Sequence, residues 1–117
     1  MANQYNTKQI KAISLEELKN VKKEFRDKAF LVTFFRRTDN NSFLLESVLN
    51  KIAKKYQHNI PFFRCTVPTP EMAQSHFPSV ERLPTTVLVR KGRARETFFG
   101  VLPQHKIEEK LNVILDQ

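Results

Sequence analysis

The residues of this chain that could perform chemistry are few. They are one cysteine, three histidines and a polar tetrapeptide: Cys65, His58, His76, His105 and Asp39-Asn40-Asn41-Ser42. Asp39 and Ser42 could act in hydrolysis only with a base such as histidine beside them, and no histidine is expected near the tetrapeptide. The histidines and Cys65 also lack metal-ligand spacing. The sequence therefore predicts no hydrolase, no metal site and no cofactor.

Cys65 lies in an apolar segment, residues 62–67, that is typical of an interior strand. A cysteine buried in this way packs as a small hydrophobic residue. A reactive thiol would need solvent exposure and a lowered pKa, and the neighbouring Arg64 should point to the opposite face of the strand. We therefore expect Cys65 to be inert, and an enzyme with single-thiol chemistry through Cys65 is the alternative.

Two patterns mark the helices that must position these residues. Ser14 and Glu17 have the spacing of a capping box, which indicates a helix start. The second helix is indicated by apolar residues at helical spacing: Phe43, Leu44, Val48, Leu49, Ile52 and Tyr56. Helices are predicted at residues 14–26, 43–57 and 71–77, with a last one beginning near Pro103.

Strands are predicted between these helices, at residues 8–13, 29–35, 60–67, 85–89 and 95–99. Lys91 and Gly92 form the turn of a closing antiparallel hairpin. The alternating order predicts an α/β fold with a central mixed β-sheet flanked by helices on both faces. With 117 residues, the chain is expected to form a single domain over residues 1–117.

Five sequence marks follow one another in this framework: Leu31-Val-Thr-Phe-Phe35, the helix of residues 43–56, Leu83-Pro84-Thr85, Lys91-Gly92 and Gly100. In their order and distances, with about one residue inserted before Pro84, they resemble the thioredoxin family over nearly the whole chain. The resemblance implies the thioredoxin fold. It also implies that Leu83-Pro84-Thr85 is the family's cis-proline signature.

The departures from the family gather at one place. The resemblance puts Asp39 and Ser42 at the positions of the two thiols, Thr33 at that of the buried aspartate, and Thr38 at that of the aromatic residue before the first thiol. Neither Asp39 nor Ser42 can exchange with a disulfide. We therefore expect no dithiol oxidoreductase activity and no enzyme, and we interpret Asp39 as a helix N-cap.

The family also pairs the residue before its cis-proline with an extended peptide, and this use needs no thiol. By resemblance, the peptide groove of this chain is formed by Thr38, Asp39, Arg82, Leu83, Pro84, Gly100 and Val101. The resulting hypothesis is a redox-inactive, thioredoxin-like, protein-binding module of the chaperone or assembly type.

The balance of charge suggests what such a module would hold. The formal net charge is +8 and the sequence pI is about 9.9, which favours acidic partners, and Arg36, Arg37 and Arg82 lie near the expected groove. The alternative function is binding of nucleic acid or another polyanion through a basic hairpin: Arg90, Lys91, Arg93 and Arg95. A second basic group, Lys51, Lys54 and Lys55, ends the second helix. A solvated edge protected by charge explains the same hairpin without a ligand.

The remaining expectations concern location and assembly. No apolar run is long enough to span a bilayer, and the first ten residues carry no basic-then-apolar signal pattern. We expect a cytoplasmic protein with no membrane partner. The sequence leaves open whether the protein forms a homodimer.

Overall fold

The computed structural model describes residues 10–37, 40–56 and 58–116, and for residues 40–42 the backbone only. The elements follow the predicted order: β1 Ile10–Ala12, α1 Leu15–Glu24, β2 Ala29–Phe35, α2 Asn40–Tyr56, β3 Phe62–Thr66, α3 Pro70–Gln74, β4 Thr85–Arg90, β5 Arg93–Phe99 and α4 Gln104–Leu115. None of these helices is long and apolar enough to cross a membrane.

The five strands form one mixed sheet in the order β1-β3-β2-β4-β5. β3 is parallel to both β1 and β2, whereas β4 runs antiparallel to β2 and to β5. Helices α2 and α4 pack on one face and α1 and α3 on the other, so two apolar clusters enclose the sheet. This is the α/β architecture that the alternation of elements predicts.

Local chemistry explains where the first elements begin. The Ser14 hydroxyl accepts a hydrogen bond from the Glu17 backbone N–H at 3.0 Å, and the Glu17 carboxylate accepts one from the Ser14 backbone N–H at 2.9 Å. This is the predicted capping box, and it satisfies two N–H groups that the helix leaves unpaired. Strand β2 has its predicted range. Six of its seven residues are buried, as expected for a strand covered on both faces.

Some boundaries differ from the prediction. Strand β5 begins at Arg93 rather than Arg95, because Lys91 (φ 52°) and Gly92 (φ 78°) form a tight turn that lets Arg90 pair with Arg93. The register then shifts between Leu88 and Val89, as a β-bulge does. Helix α2 begins at Asn40, earlier than predicted, and helix α3 is shorter, ending at Gln74.

Candidate functional site

The loop before β4 and the loop after β5 lie side by side at one end of the sheet. The Leu83–Pro84 peptide bond is cis, and the Pro84 carbonyl accepts a hydrogen bond from the Gly100 backbone N–H at 2.9 Å. Five of the groove residues implied by the resemblance are therefore brought together: Arg82, Leu83, Pro84, Gly100 and Val101. Thr38 and Asp39, and with them the proposed N-cap, lie outside the described residues. We call the five residues the groove.

Gly100 suits its position for a conformational reason. Its φ is +71°, in the left-handed region that glycine enters at no steric cost. A side chain built there would meet no atom within 4 Å, so backbone conformation rather than space is what favours glycine. The turn directs the following Val101 side chain to the surface, where it is 39% exposed.

Arg82 carries charge to the edge of the groove. Its guanidinium lies over the ring of Phe99, 4.8 Å from the ring centroid, while the residue stays exposed. A cation over an aromatic face is held there with about 0.5–1 kcal/mol at an exposed site. The ring therefore orients a positive charge beside the cis-proline.

Two more arginines lie at the same end of the sheet. Phe34 of β2 pairs with Thr85 of β4, directly after Pro84, and Arg36 and Arg37 follow β2 on this side. The Arg36 Nε donates a hydrogen bond to the Pro68 carbonyl at 3.3 Å. Both arginines are exposed and line an open depression together with residues 66–68. An acidic group entering this depression would meet both guanidinium groups.

Exposed apolar side chains complete this end of the molecule. Phe43 and Leu44, in the first turns of α2, are 65% and 58% exposed. The helix that their spacing predicted is present, but these two residues lie outside its buried face. The buried residues are Leu45, Leu49 and Ile52, whose spacing of four and three defines the inner face. That spacing leaves residues 43 and 44 outside the stripe, and it is the signal that would have found them.

The interior beneath the groove is neutral where the resemblance would place a buried aspartate. Thr33 is buried, and its hydroxyl lies 3.0 Å from that of Thr86 on β4. Its register partner on β3 is Arg64, whose guanidinium pairs with the Glu46 carboxylate of α2. A cavity of about 10 Å³ lies between these groups. The position that the resemblance gives to a buried aspartate therefore holds a hydroxyl pair, with the Arg64–Glu46 ion pair beside it.

Cys65 is 1% exposed within the cluster that α1 and α3 cover. Burial, with a smaller effect of the Glu17 carboxylate, raises the pKa of the Cys65 thiol to about 11. The thiolate form that attacks disulfides and binds metals is therefore scarce at neutral pH. This agrees with the expectation of an inert cysteine.

The histidines do not assemble a site. His58 and His105 are exposed, and His76 is half-buried, with its Nδ1 3.5 Å from the Lys22 Nζ. Within residues 10–37, 40–56 and 58–116, no group of three histidine, cysteine, aspartate or glutamate residues could hold a metal ion.

Comparison with solved structures identifies the architecture. Thioredoxin h from Nicotiana alata superposes with a TM-score of 0.77 at 21% identity, covering 90% of this chain and 91% of that one. Chloroplastic thioredoxin z gives 0.75 at 25% identity, covering 93% and 96%. The chain has the thioredoxin fold. A structure concerned with thiol resolution in yeast mitochondrial 1-Cys peroxiredoxin gives 0.70 at 21% identity, covering 88% and 93%.

The thioredoxin fold is present here without a pair of thiols, since Cys65 is the single cysteine of the chain and lies in β3. No protein-family model matches the sequence, and no curated protein matches it either. The likeness therefore establishes the fold, and the function has to be argued from the residues of the groove.

Proposed function

We propose that this protein is a redox-inactive binding module that holds an extended acidic segment of a partner protein beside Leu83 and Pro84. The observation that carries the proposal is the groove, where the cis-proline loop and the Gly100–Val101 turn are joined by a backbone hydrogen bond and bordered by arginines. A module that binds without chemistry fits a chaperone or assembly role.

The backbone of the groove supports strand-like pairing with a peptide. Leu83 is half-buried, and no hydrogen bond joins its backbone N–H or C=O to another residue in the part of the chain that the structure describes. A backbone N–H and C=O of this kind gain stability by pairing with an added strand. The adjacent Pro84 is buried and anchors the loop.

The side chains around the groove favour an acidic peptide with some apolar residues. Among the described residues, Arg36, Arg37 and Arg82 are exposed cations, and Glu81 is the exposed acid of the cis-proline loop. Val101 provides apolar surface directly beside the cis-proline loop. Aromatic or aliphatic anchors surrounded by charge are typical of protein interfaces.

The proposed lack of redox activity is supported by the number of thiols and by the environment of Cys65. The chain holds a single thiol, and its burial and raised pKa keep it protonated. No second thiol is present to resolve a mixed disulfide within the chain.

The test uses a fluorescein-labelled peptide of alternating glutamate and valine, its lysine counterpart, and fluorescence anisotropy. We expect the acidic peptide to bind more tightly, and Leu83→Asp to weaken it by about tenfold or more, or roughly 1.4 kcal/mol. Val113→Asp is the matched control, because Val113 is an exposed valine on the outer surface of α4.

Amide chemical shifts provide a second readout that does not depend on affinity. Titration of the acidic peptide should move the resonances of Leu83, Gly100 and Val101 first. The proposal is wrong if both aspartate variants bind alike, or if the peptide shifts resonances away from the groove while leaving those three unchanged.

A further inference from the structure

The end of the sheet opposite the groove gathers basic residues from three separate parts of the chain. Arg26 and Lys28 lead into β2, Lys54 lies in the last turn of α2, and Arg90, Lys91 and Arg93 surround the β4–β5 turn. We call these six residues the basic end. In the sequence, the hairpin and the end of α2 form two separate basic groups, and the topology places them at one end of the sheet.

Hydrogen bonds and strand register fix this arrangement. The Lys91 backbone N–H donates to the Lys28 carbonyl at 2.9 Å. Arg90 is the register partner of both Ala29 and Arg93. Helix α2 arrives at the same end, because the Tyr56 carbonyl accepts from Ile60 at 3.0 Å and the Pro61 carbonyl accepts from Leu31 of β2 at 3.1 Å.

Most of this charge faces solvent. Arg26, Lys28, Lys91 and Arg93 are exposed. Lys54 is exposed as well and Arg90 is half-buried, and each of these two interacts with another group of the protein. In the part of the chain that the structure describes, their acidic neighbours are fewer: Glu24 and Asp27 in the same loop region and Asp116 after α4.

Protection of a sheet edge explains only part of this pattern. Charged residues on an edge strand discourage pairing with other chains, which accounts for Arg93 on β5. It does not account for Arg26 and Lys28, which precede the interior strand β2, or for Lys54 on a helix. Arg90 and Arg93 are also register partners at the turn, which places two arginines next to each other at this end. A surface that gathers cations in this way attracts polyanions.

We propose that the basic end binds the phosphodiester backbone of nucleic acid without reading its base sequence. This partner fits better than a protein or a membrane. Phosphate contacts need only cations, whereas protein and membrane surfaces also use exposed apolar anchors. Among the described residues, four of the five large exposed apolar side chains lie at the other end of the sheet: Phe43, Leu44, Met72 and Val101. The fifth, Val113, lies near the end of α4, next to Asn112, which accepts a hydrogen bond from Tyr56 at the end of α2. The basic end therefore has a single valine near it and no exposed aromatic anchor among the described residues.

The proposal is tested by anisotropy of a labelled duplex of mixed sequence over a salt series. Log affinity should fall linearly with log salt, with a slope of about −0.9 for each phosphate neutralised. We expect the double variant Lys91→Glu/Arg93→Glu to bind at least about tenfold more weakly and to flatten this slope. Arg26→Glu/Lys28→Glu tests the same surface from another segment, in case the altered turn prevents folding.

The control is Lys11→Glu/Lys106→Glu, which changes the net charge equally at two exposed positions away from the basic end. The affinity of this control variant for the duplex should fall less than about threefold, because the two substitutions change only the long-range electrostatic field. Equal losses in control and test variants would overturn the proposal. So would competition by polyglutamate or by phosphatidylserine vesicles as strong as that by unlabelled duplex at equal charge, because the site would then select acidic protein or lipid.

A marked preference for one duplex sequence would overturn the claim that binding ignores the bases. The groove provides an independent check. Leu83→Asp should leave duplex binding unchanged, so that failure of the peptide experiment and failure of the duplex experiment are separate results.

Discussion

The two ends of the central sheet are built from the same strands, yet they expose different chemistry. At the end where β2 finishes and β4 starts, a cis-proline loop, a left-handed glycine and Val101 form the groove. At the end where β2 starts and β4 finishes, lysine and arginine dominate the surface. The groove end combines shape, apolar surface and charge, whereas the basic end offers mainly charge.

The two ends depend on different residues. The positions that the resemblance gives to the two thiols fall in one short segment of the sequence, residues 39–42. The residues of the basic end lie outside that segment, because they come from the loop before β2, the end of α2 and the β4–β5 hairpin. Binding at either end therefore does not depend on a thiol pair, which a chain with one cysteine lacks.

Truncation of a buried aromatic ring between the two ends should destabilise the whole domain and impair binding at both ends. Phe34 is fully buried in β2, and its ring lies 6.0 Å from that of Phe77. Phe34→Ala should lower the free energy of unfolding by about 3–5 kcal/mol, through lost apolar contact and the cavity left behind. Urea unfolding measures the loss, and peptide and duplex binding should decline in parallel with the folded fraction. A loss below about 1 kcal/mol would show that β2 is not the shared support of the two ends.

Two glycines in comparable conformations, one at each end, allow the two ends to be tested separately. Gly100 (φ +71°) lies in the groove and Gly92 (φ +78°) in the basic hairpin, and a Cβ added at either glycine would meet no atom within 4 Å. Alanine at either position should cost about 1–2 kcal/mol, because left-handed backbone is strained for residues with a Cβ.

The binding consequences of the two alanine variants should be opposite. Gly100→Ala should weaken acidic-peptide binding and leave duplex binding intact, and Gly92→Ala should do the reverse. Anisotropy with both probes, at a temperature where each variant is folded by circular dichroism, makes the comparison. If both variants impair both ligands equally, the two ends do not act separately.

Much of the secondary structure was predictable from short-range sequence patterns. The apolar run of β2 and the Ser14–Glu17 capping box depend on neighbouring residues, and both are confirmed. Seven groove residues were predicted by resemblance. The structure brings five of them together, and the other two, Thr38 and Asp39, lie outside the described residues.

What the sequence did not predict depends on tertiary contacts. The hydroxyl pair of Thr33 and Thr86 joins residues 53 positions apart. The location of Lys54 at the same end of the sheet as the basic hairpin depends on where α2 ends relative to β4. The exposure of Phe43 depends on which face of α2 meets the sheet, and helical periodicity alone allowed two neighbouring faces.

A smaller effect is expected from Arg82→Leu. The leucine keeps apolar contact with Phe99 but removes the cation held over its ring, a loss of about 0.5–1 kcal/mol at an exposed site. Acidic-peptide affinity should fall a few-fold, and the loss should shrink as salt rises. Arg26→Leu is the reciprocal control, since it removes an exposed arginine from the basic end. The comparison of the two ends fails if Arg82→Leu lowers duplex affinity more than peptide affinity.

The smallest expected effect concerns a residue that belongs to neither end. Burial, followed by the charges of Lys22 and Lys19, lowers the pKa of His76 below its usual 6.5. The unfolded chain therefore binds a proton at higher pH than the folded chain does. The stability contributed by neutral His76 is present above pH 6.5 and is lost as the pH falls through the lowered folded pKa.

His76→Gln should therefore reduce the loss of thermal stability between neutral and mildly acidic pH, measured by differential scanning calorimetry. Lys22→Gln should act in the same direction, because it removes the cation whose Nζ lies 3.5 Å from the His76 Nδ1. An NMR titration of the His76 ring should give a midpoint below 6.5 in the unaltered protein and a higher one in Lys22→Gln. A midpoint that does not move would mean that burial and Lys19, and not Lys22, lower the pKa of His76. Neither variant should change peptide or duplex binding at neutral pH, since His76 lies on the α1–α3 face, between the groove and the basic end.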